Sequence, residues 1–237
     1  MSVRRNMQYV YCFVKGAEDR AFFPRGLRRE RVRLVSFAGI GAVVSEGAPG
    51  GMGKEIVDIL THQEVVNRAL DLSRSVIPCR FGVWVADEAG IMALLSRNAS
   101  RLETHFARLA GKVEVEIKAI LNAQQSESTM PTGKLTVGER YLLAKKEKYH
   151  GVKSLSAQGK KLCQTLNKST APFWTAVKAE ETSSRQKLIL RLFYLVERDQ
   201  VDFFKSAYEE ISQKIPHCKL LYSGPWPPYS FADVTLS

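Results

Sequence analysis

The sequence has few of the residues from which reactive or metal-binding centres are built. Its four cysteines, Cys12, Cys79, Cys163 and Cys218, are widely spaced and form no Cys-x-x-Cys pair. Neither a disulfide framework nor a zinc knuckle is expected, and a reducing cytosol is the simplest setting. The four histidines, His62, His105, His150 and His217, are equally scattered, with no His-Glu-x-x-His spacing. No Gly-x-Ser-x-Gly elbow is present to expose a nucleophilic serine. No run approaches the roughly 18 to 20 apolar residues that a bilayer-spanning helix requires. Tyr9 to Val14 follows Arg4 and Arg5, but it is too short for a signal-peptide core and consists of strand formers. These absences predict a soluble, cytoplasmic chain with no metal, no cofactor, no membrane span and no catalytic residue.

Core material and positive charge are both plentiful. Apolar residues make up 45% of the 237 positions, enough for one large domain or two small ones. Lysine and arginine number 35 against 24 acidic residues, a net +11. Such a field attracts nucleic acid, anionic lipid or an acidic protein without selecting among them.

Along the chain, Tyr9 to Val14 reads as a buried first strand. Val32 to Phe37 and Ile40 to Ser45, separated by Ala38-Gly39, read as a hairpin. Between them the dense charge of Arg25 to Arg33 belongs on a solvated surface. Ile56, Leu60, Val66, Leu70 and Ser73 are expected on one face of a helix ending near Arg74. Strands follow at Val76 to Cys79 and Gly82 to Val85. Asp87 then caps a helix in which Ile91, Leu94, Leu95, Leu102, Phe106 and Leu109 recur at helical steps.

In the second half, Val113, Val115 and Ile117 alternate with Glu114, Glu116 and Lys118, the pattern of a strand with one wet face. A helical pattern runs from Gly138 to about Leu166 through Tyr141, Leu142, Tyr149, Val152, Leu155 and Leu162, weakened by Gly151 and Gly159. Phe173, Trp174 and Val177 are expected as a short helical extension beyond Ala171-Pro172. Leu188 to Val196 reads as a central strand and Val201 to Ile215 as an amphipathic helix, with Lys219 to Tyr222 as the last strand. The pattern predicts an α+β protein with mainly antiparallel sheets in two domains. The first covers residues 1–110. The second, residues 111–237, is ferredoxin-like, with a helical insertion at about 138–180.

Two features invite a chemical reading. Ala48 to Glu55 is glycine-rich and precedes a helix, as a phosphate loop does, but Glu55 stands where such a loop needs Ser or Thr. Gly50 to Lys54 is therefore read as a surface loop. The basic clusters at Arg25 to Arg33 and Lys145 to Lys148 suit phosphate contacts, which makes a basic nucleic-acid-binding module the alternative function. No aromatic stacking motif accompanies them, and solvated faces explain them more simply.

The ending Gly224-Pro225-Trp226-Pro227-Pro228-Tyr229-Ser230-Phe231 carries three prolines, each lacking a backbone donor and fixing φ. An extended, polyproline-like segment is expected, its rings either strapping the protein's own sheet or docking a partner.

This ending resembles the C-terminal signature of the gas vesicle protein F/L family. Tyr9-Val10-Tyr11-Cys12 is similar to the family's opening strand, and Val76-Ile77-Pro78-Cys79-Arg80-Phe81-Gly82 to its internal Pro-x-Arg-Phe-Gly element. Phe193 to Val196, followed by Arg198-Asp199, resembles a family strand and charged turn. The resemblance implies two α+β domains and a minor gas vesicle component or assembly factor without enzymatic activity. Its implied partners are the small hydrophobic shell protein and other gas vesicle accessory proteins, with no small-molecule substrate. The resemblance marks Arg80, Phe81, Gly82, Gly224, Pro225, Trp226, Pro227, Pro228, Tyr229 and Phe231 as motif or partner-binding candidates.

Overall fold

The computed structural model describes residues 7–17, 23–49, 56–122, 155–184 and 187–233. Helices and two antiparallel sheets are combined, as the α+β reading expects. The chain divides into two compact units. One comprises Met1–Glu114, Leu195–Arg198 and Gly224–Ser237; the other comprises Val115–Tyr194 and Asp199–Ser223.

Five strands form the first sheet: β1 (Met7–Lys15), β2 (Val32–Phe37), β3 (Ile40–Gly47), β4 (Ser75–Pro78) and β5 (Trp84–Val85). They lie in the order β2-β3-β1-β4, with β5 also pairing β1. The uninterrupted apolar run of β1 places it inside, buried from Gln8 to Val14. Phe37 faces Ile40 across the β2-β3 hairpin, leaving Ala38-Gly39 as the loop. Their φ values are +48° and +81°, the sign a type I′ turn needs to match the strand twist. On β1, Val10 faces Val44 and Cys12 faces Val43, so Tyr11 is the extra residue of a bulge.

Helices α1 (Ile56–Leu72) and α2 (Glu88–Leu109) pack on this sheet. The α2 helix follows its sequence pattern: Asp87 Oδ1 accepts the Gly90 amide at 2.8 Å, and Ile91, Leu95, Leu102, Phe106 and Leu109 are buried. The face expected for α1 needs correction. His62, Val65, Val66, Ala69 and Leu70 are buried, whereas Ile56 and Leu60 stand in solvent. The six-residue step from Leu60 to Val66 rotates the side chain by roughly 240° and takes Leu60 off the buried arc, whereas Ile56, about 40° from Leu70 in angle, is exposed in the first turn of the helix.

Four strands make the second sheet, β6 (Lys112–Asn122), β7 (Ala176–Ser184), β8 (Lys187–Glu197) and β9 (Lys219–Trp226), ordered β7-β8-β6-β9. With α3 (Ala157–Thr170) and α4 (Val201–Lys214), the described succession is strand, helix, strand, strand, helix, strand. Leu188 to Val196 lies in β8, inside the sheet, and α4 buries Phe204 and Ile211. The helical extension expected at Phe173, Trp174 and Val177 is not formed: α3 ends at Thr170 and β7 begins at Ala176. An edge strand needs neighbours on one side only, so β7 tolerates the polar sequence Lys178 to Ser183 that concealed it. Residues 138–154 of the helical pattern lie outside the described residues.

The last strand runs further than expected, to Trp226, and carries Pro225 within it. It does so on the sheet edge, where a missing N–H breaks no interior ladder.

Candidate functional site

The sequence-marked segments of the first unit meet around a residue that no motif marked, His62. Tyr9 and Tyr11 of β1 set their rings 4.8 Å apart, and both approach His62 of α1, at 5.7 and 5.6 Å. The Tyr9 hydroxyl lies 2.9 Å from His62 Nδ1, and His62 Nε2 lies 3.2 Å from the Cys79 carbonyl. A carbonyl only accepts, so Nε2 carries the proton and Nδ1 accepts from Tyr9. The same hydroxyl accepts the Gly82 amide at 3.1 Å. Burial pushes the His62 pKa down to about 4, only partly opposed by the bond to the Cys79 carbonyl. The imidazole is therefore neutral and satisfied at both nitrogens.

The internal motif contributes unequally. Phe81 is half-buried, 5.9 Å from Tyr9 and 5.7 Å from His62, whereas Arg80 points to solvent. Gly82 has φ +95°, a conformation that only glycine adopts without strain, and this aims its amide at Tyr9.

In the C-terminal motif, Gly224 has φ +125°, Pro225 is exposed and Trp226 half-buried, and Pro227, Pro228 and Phe231 are buried. Tyr229 reaches within 6.5 Å of His62. The extended form expected through Phe231 gives way to a 3₁₀ turn at Tyr229–Phe231. Two side chains hold that turn. Glu114 accepts the Ser230 amide at 2.7 Å and the Ser230 hydroxyl at 3.0 Å, and Arg108 donates to the Phe231 carbonyl at 2.5 Å. Strand alternation placed Glu114 on a wet face, yet it is only 6% exposed. Charge-assisted bonds from the turn offset its desolvation.

Chemically, this cluster is quiet. Burial raises the Cys12 thiol well above its ordinary range and Cys79 to about 12, so neither is a thiolate at neutral pH. The Tyr9, Tyr11 and Tyr229 hydroxyls are likewise raised by burial. Among the described residues no set of three or more His, Cys, Asp or Glu side chains is arranged to hold a metal ion. No described helix is long and apolar enough to cross a membrane. Gly50 to Lys54 lies outside the described residues. His62, Glu114, Arg108 and Ser230 escaped the sequence reading because their partners are distant along the chain; only the apolar neighbours of His62 hinted at its burial.

Fold and cluster define a two-unit α+β protein whose signature segments converge on a neutral, fully bonded histidine. The family model described as gas vesicle synthesis protein GvpL/GvpF matches residues 7–233, and the chain belongs to this family. It is 26% identical to gas vesicle protein L2 of Halobacterium salinarum, over 95% of this chain and 91% of that protein. It is 27% identical to gas vesicle protein F of a Streptomyces species, over 85% and 88%. Among solved structures it resembles GvpF from an Anabaena species, with TM-score 0.76 and 19% identity over 97% of each chain. GvpF from Microcystis aeruginosa gives 0.75 and 18%, over 96% of this chain and 99% of that one. The structural likeness establishes the fold, and the family places the chain in a gas vesicle-related role.

Proposed function

We propose that this chain is a non-catalytic gas vesicle assembly factor or minor component. It binds the small hydrophobic shell protein and assists nucleation or growth of the vesicle wall. The carrying observation is the family match across residues 7–233. The geometry supports it: the motif cluster is a packed, neutral, hydrogen-bonded core rather than a cleft with a poised acid, base or nucleophile. A shell subunit exposing large apolar surface aggregates unless held, which gives such a factor its physical task. The chain then works in the cytoplasm at the vesicle, with the shell protein and other gas vesicle proteins as partners.

Co-purification of the intact chain with the shell protein, together with deletion of its gene, tests this reading. Binding and impaired vesicles are expected; no binding and normal vesicles would defeat it. The alternative of a nucleic-acid module draws on the exposed Arg25, Arg28, Arg29 and Arg31. It requires binding to mixed nucleic acid that weakens steeply with salt.

A further inference from the structure

Four large apolar side chains stand in solvent at the start of α1: Ile56 is 76% exposed, Val57 65%, Ile59 49% and Leu60 57%. The core face is supplied by His62, Val65, Val66, Ala69 and Leu70, and Val57 and Leu60 point away from it. At about 100° per residue, Ile56, Val57 and Leu60 fall within roughly 100° of the helix circumference, whereas Ile59 lies at the angle of Val66 and Leu70 but near the open end of the helix. Among the described residues, the other exposed large apolar side chains are Phe203 and Leu221, both in the second unit.

Beside α1 lies a basic turn in a fixed position. The 3₁₀ segment Leu27–Arg29 packs on α1. Leu27 is buried and its amide donates to the Tyr11 hydroxyl at 2.9 Å, while the Tyr11 ring stacks on His62. The Gly26 amide closes the turn on the Glu30 carbonyl at 2.9 Å, and a Cβ at Gly26 would collide with the Tyr11 hydroxyl. Arg28 and Arg29 hold φ at +55° and +62°, a conformation that disfavours any side chain and persists here because the surroundings impose it. Arg25, Arg29 and Arg31 are thereby presented to solvent from an ordered loop.

We infer that the exposed face of α1 and the arginine turn form one docking surface whose occupant is an amphipathic helix with carboxylates flanking its apolar stripe. This inference rests on the shell-protein reading above and assigns the surface and the partner element that serve it. Apolar side chains at helical spacing match a helix laid alongside, and the arginines select its acidic flank. A bilayer fits less well, because its continuous anionic surface would also cover the exposed Glu64 on the stripe side of α1, whereas a helix can turn its carboxylates to the arginine side alone. Nucleic acid fits less well still, since a phosphate backbone leaves the four apolar chains uncovered.

The test uses the intact chain and three variants: Ile56→Ser with Leu60→Ser, Arg29→Glu with Arg31→Glu, and Arg29→Lys with Arg31→Lys. The substituted side chains are exposed, so circular dichroism and thermal unfolding should match the unsubstituted protein. Probes are the shell protein, two synthetic helical peptides sharing one leucine stripe flanked by glutamate or by lysine, and phosphatidylcholine/phosphatidylglycerol vesicles. The serine and glutamate variants should bind the shell protein and the glutamate peptide at least about tenfold more weakly, with the lysine variant close to the original. Shell binding unchanged in the serine and glutamate variants would overturn the surface while leaving the shell reading intact. No shell binding by the unsubstituted chain, with variant-sensitive binding of the glutamate peptide, would instead defeat the shell reading and support the surface. Equal binding of both peptides, or variant-sensitive binding of vesicles alone, would overturn the acidic-helix partner.

Discussion

The carboxylate of Glu114 accepts two hydrogen bonds from Ser230, one from its amide at 2.7 Å and one from its hydroxyl at 3.0 Å. A buried acid on β6 thus fastens the C-terminal ending Gly224 to Phe231. Glu114→Ala leaves the Ser230 amide without its acceptor and should cost about 2–3 kcal/mol in urea unfolding. Ser230→Ala keeps the amide bond and should cost about 1 kcal/mol. Equal, small losses in both variants would show that the carboxylate does not anchor the turn.

Acid should weaken the first unit through His62. The unfolded chain takes up the His62 proton below its ordinary pKa of 6.5, whereas the folded chain resists until about pH 4. This contribution to stability is complete above pH 6.5 and falls by up to about 1.4 kcal/mol per pH unit below it, about 3 kcal/mol in all by pH 4. His62→Gln lowers stability at neutral pH but should flatten this part of the profile. An unchanged slope between pH 6.5 and 4 would locate the acid sensitivity elsewhere.

Gly82 offers a backbone test free of steric complications. No neighbouring atom lies within 4 Å of a Cβ built there, so Gly82→Ala reports the cost of φ +95° alone. A loss of about 1–2 kcal/mol is expected by thermal or urea unfolding. A neutral result would mean that the loop relaxes and the Tyr9 bond is dispensable.

At the β2-β3 turn a gain is expected. Ala38 holds φ +48° before Gly39 on an exposed loop. Asparagine tolerates this conformation better, and Asn-Gly is the favoured type I′ pair. Ala38→Asn should raise stability by about 0.5–1 kcal/mol. Destabilisation would contradict the turn type.

Local order was legible where local chemistry determines it. The apolar run Tyr9 to Val14, the Ala38-Gly39 turn, the Asp87 cap and the run Leu188 to Val196 each carry their structure in consecutive residues. The polar edge strand β7 carries no such signal. The burial of Glu114 was hidden because it depends on Ser230, far along the chain. His62 joins Tyr9, Phe81 and Tyr229 only through tertiary packing, so periodicity named its helix but not its neighbours. On α1, apolar side chains lie both on the buried arc and in the exposed first turns, so periodicity alone does not show that Ile56 and Leu60 stand in solvent.

Whether the C-terminal signature holds the fold while another surface holds the partner is tested most directly with Trp226→Ala and Tyr229→Ala combined. Shell-protein affinity and urea stability should be measured side by side, under conditions where the variant remains folded. The expected result is a loss of about 3 kcal/mol or more in stability with affinity for the shell protein unchanged. Unchanged stability with lost binding would contradict it and make the signature the binding site.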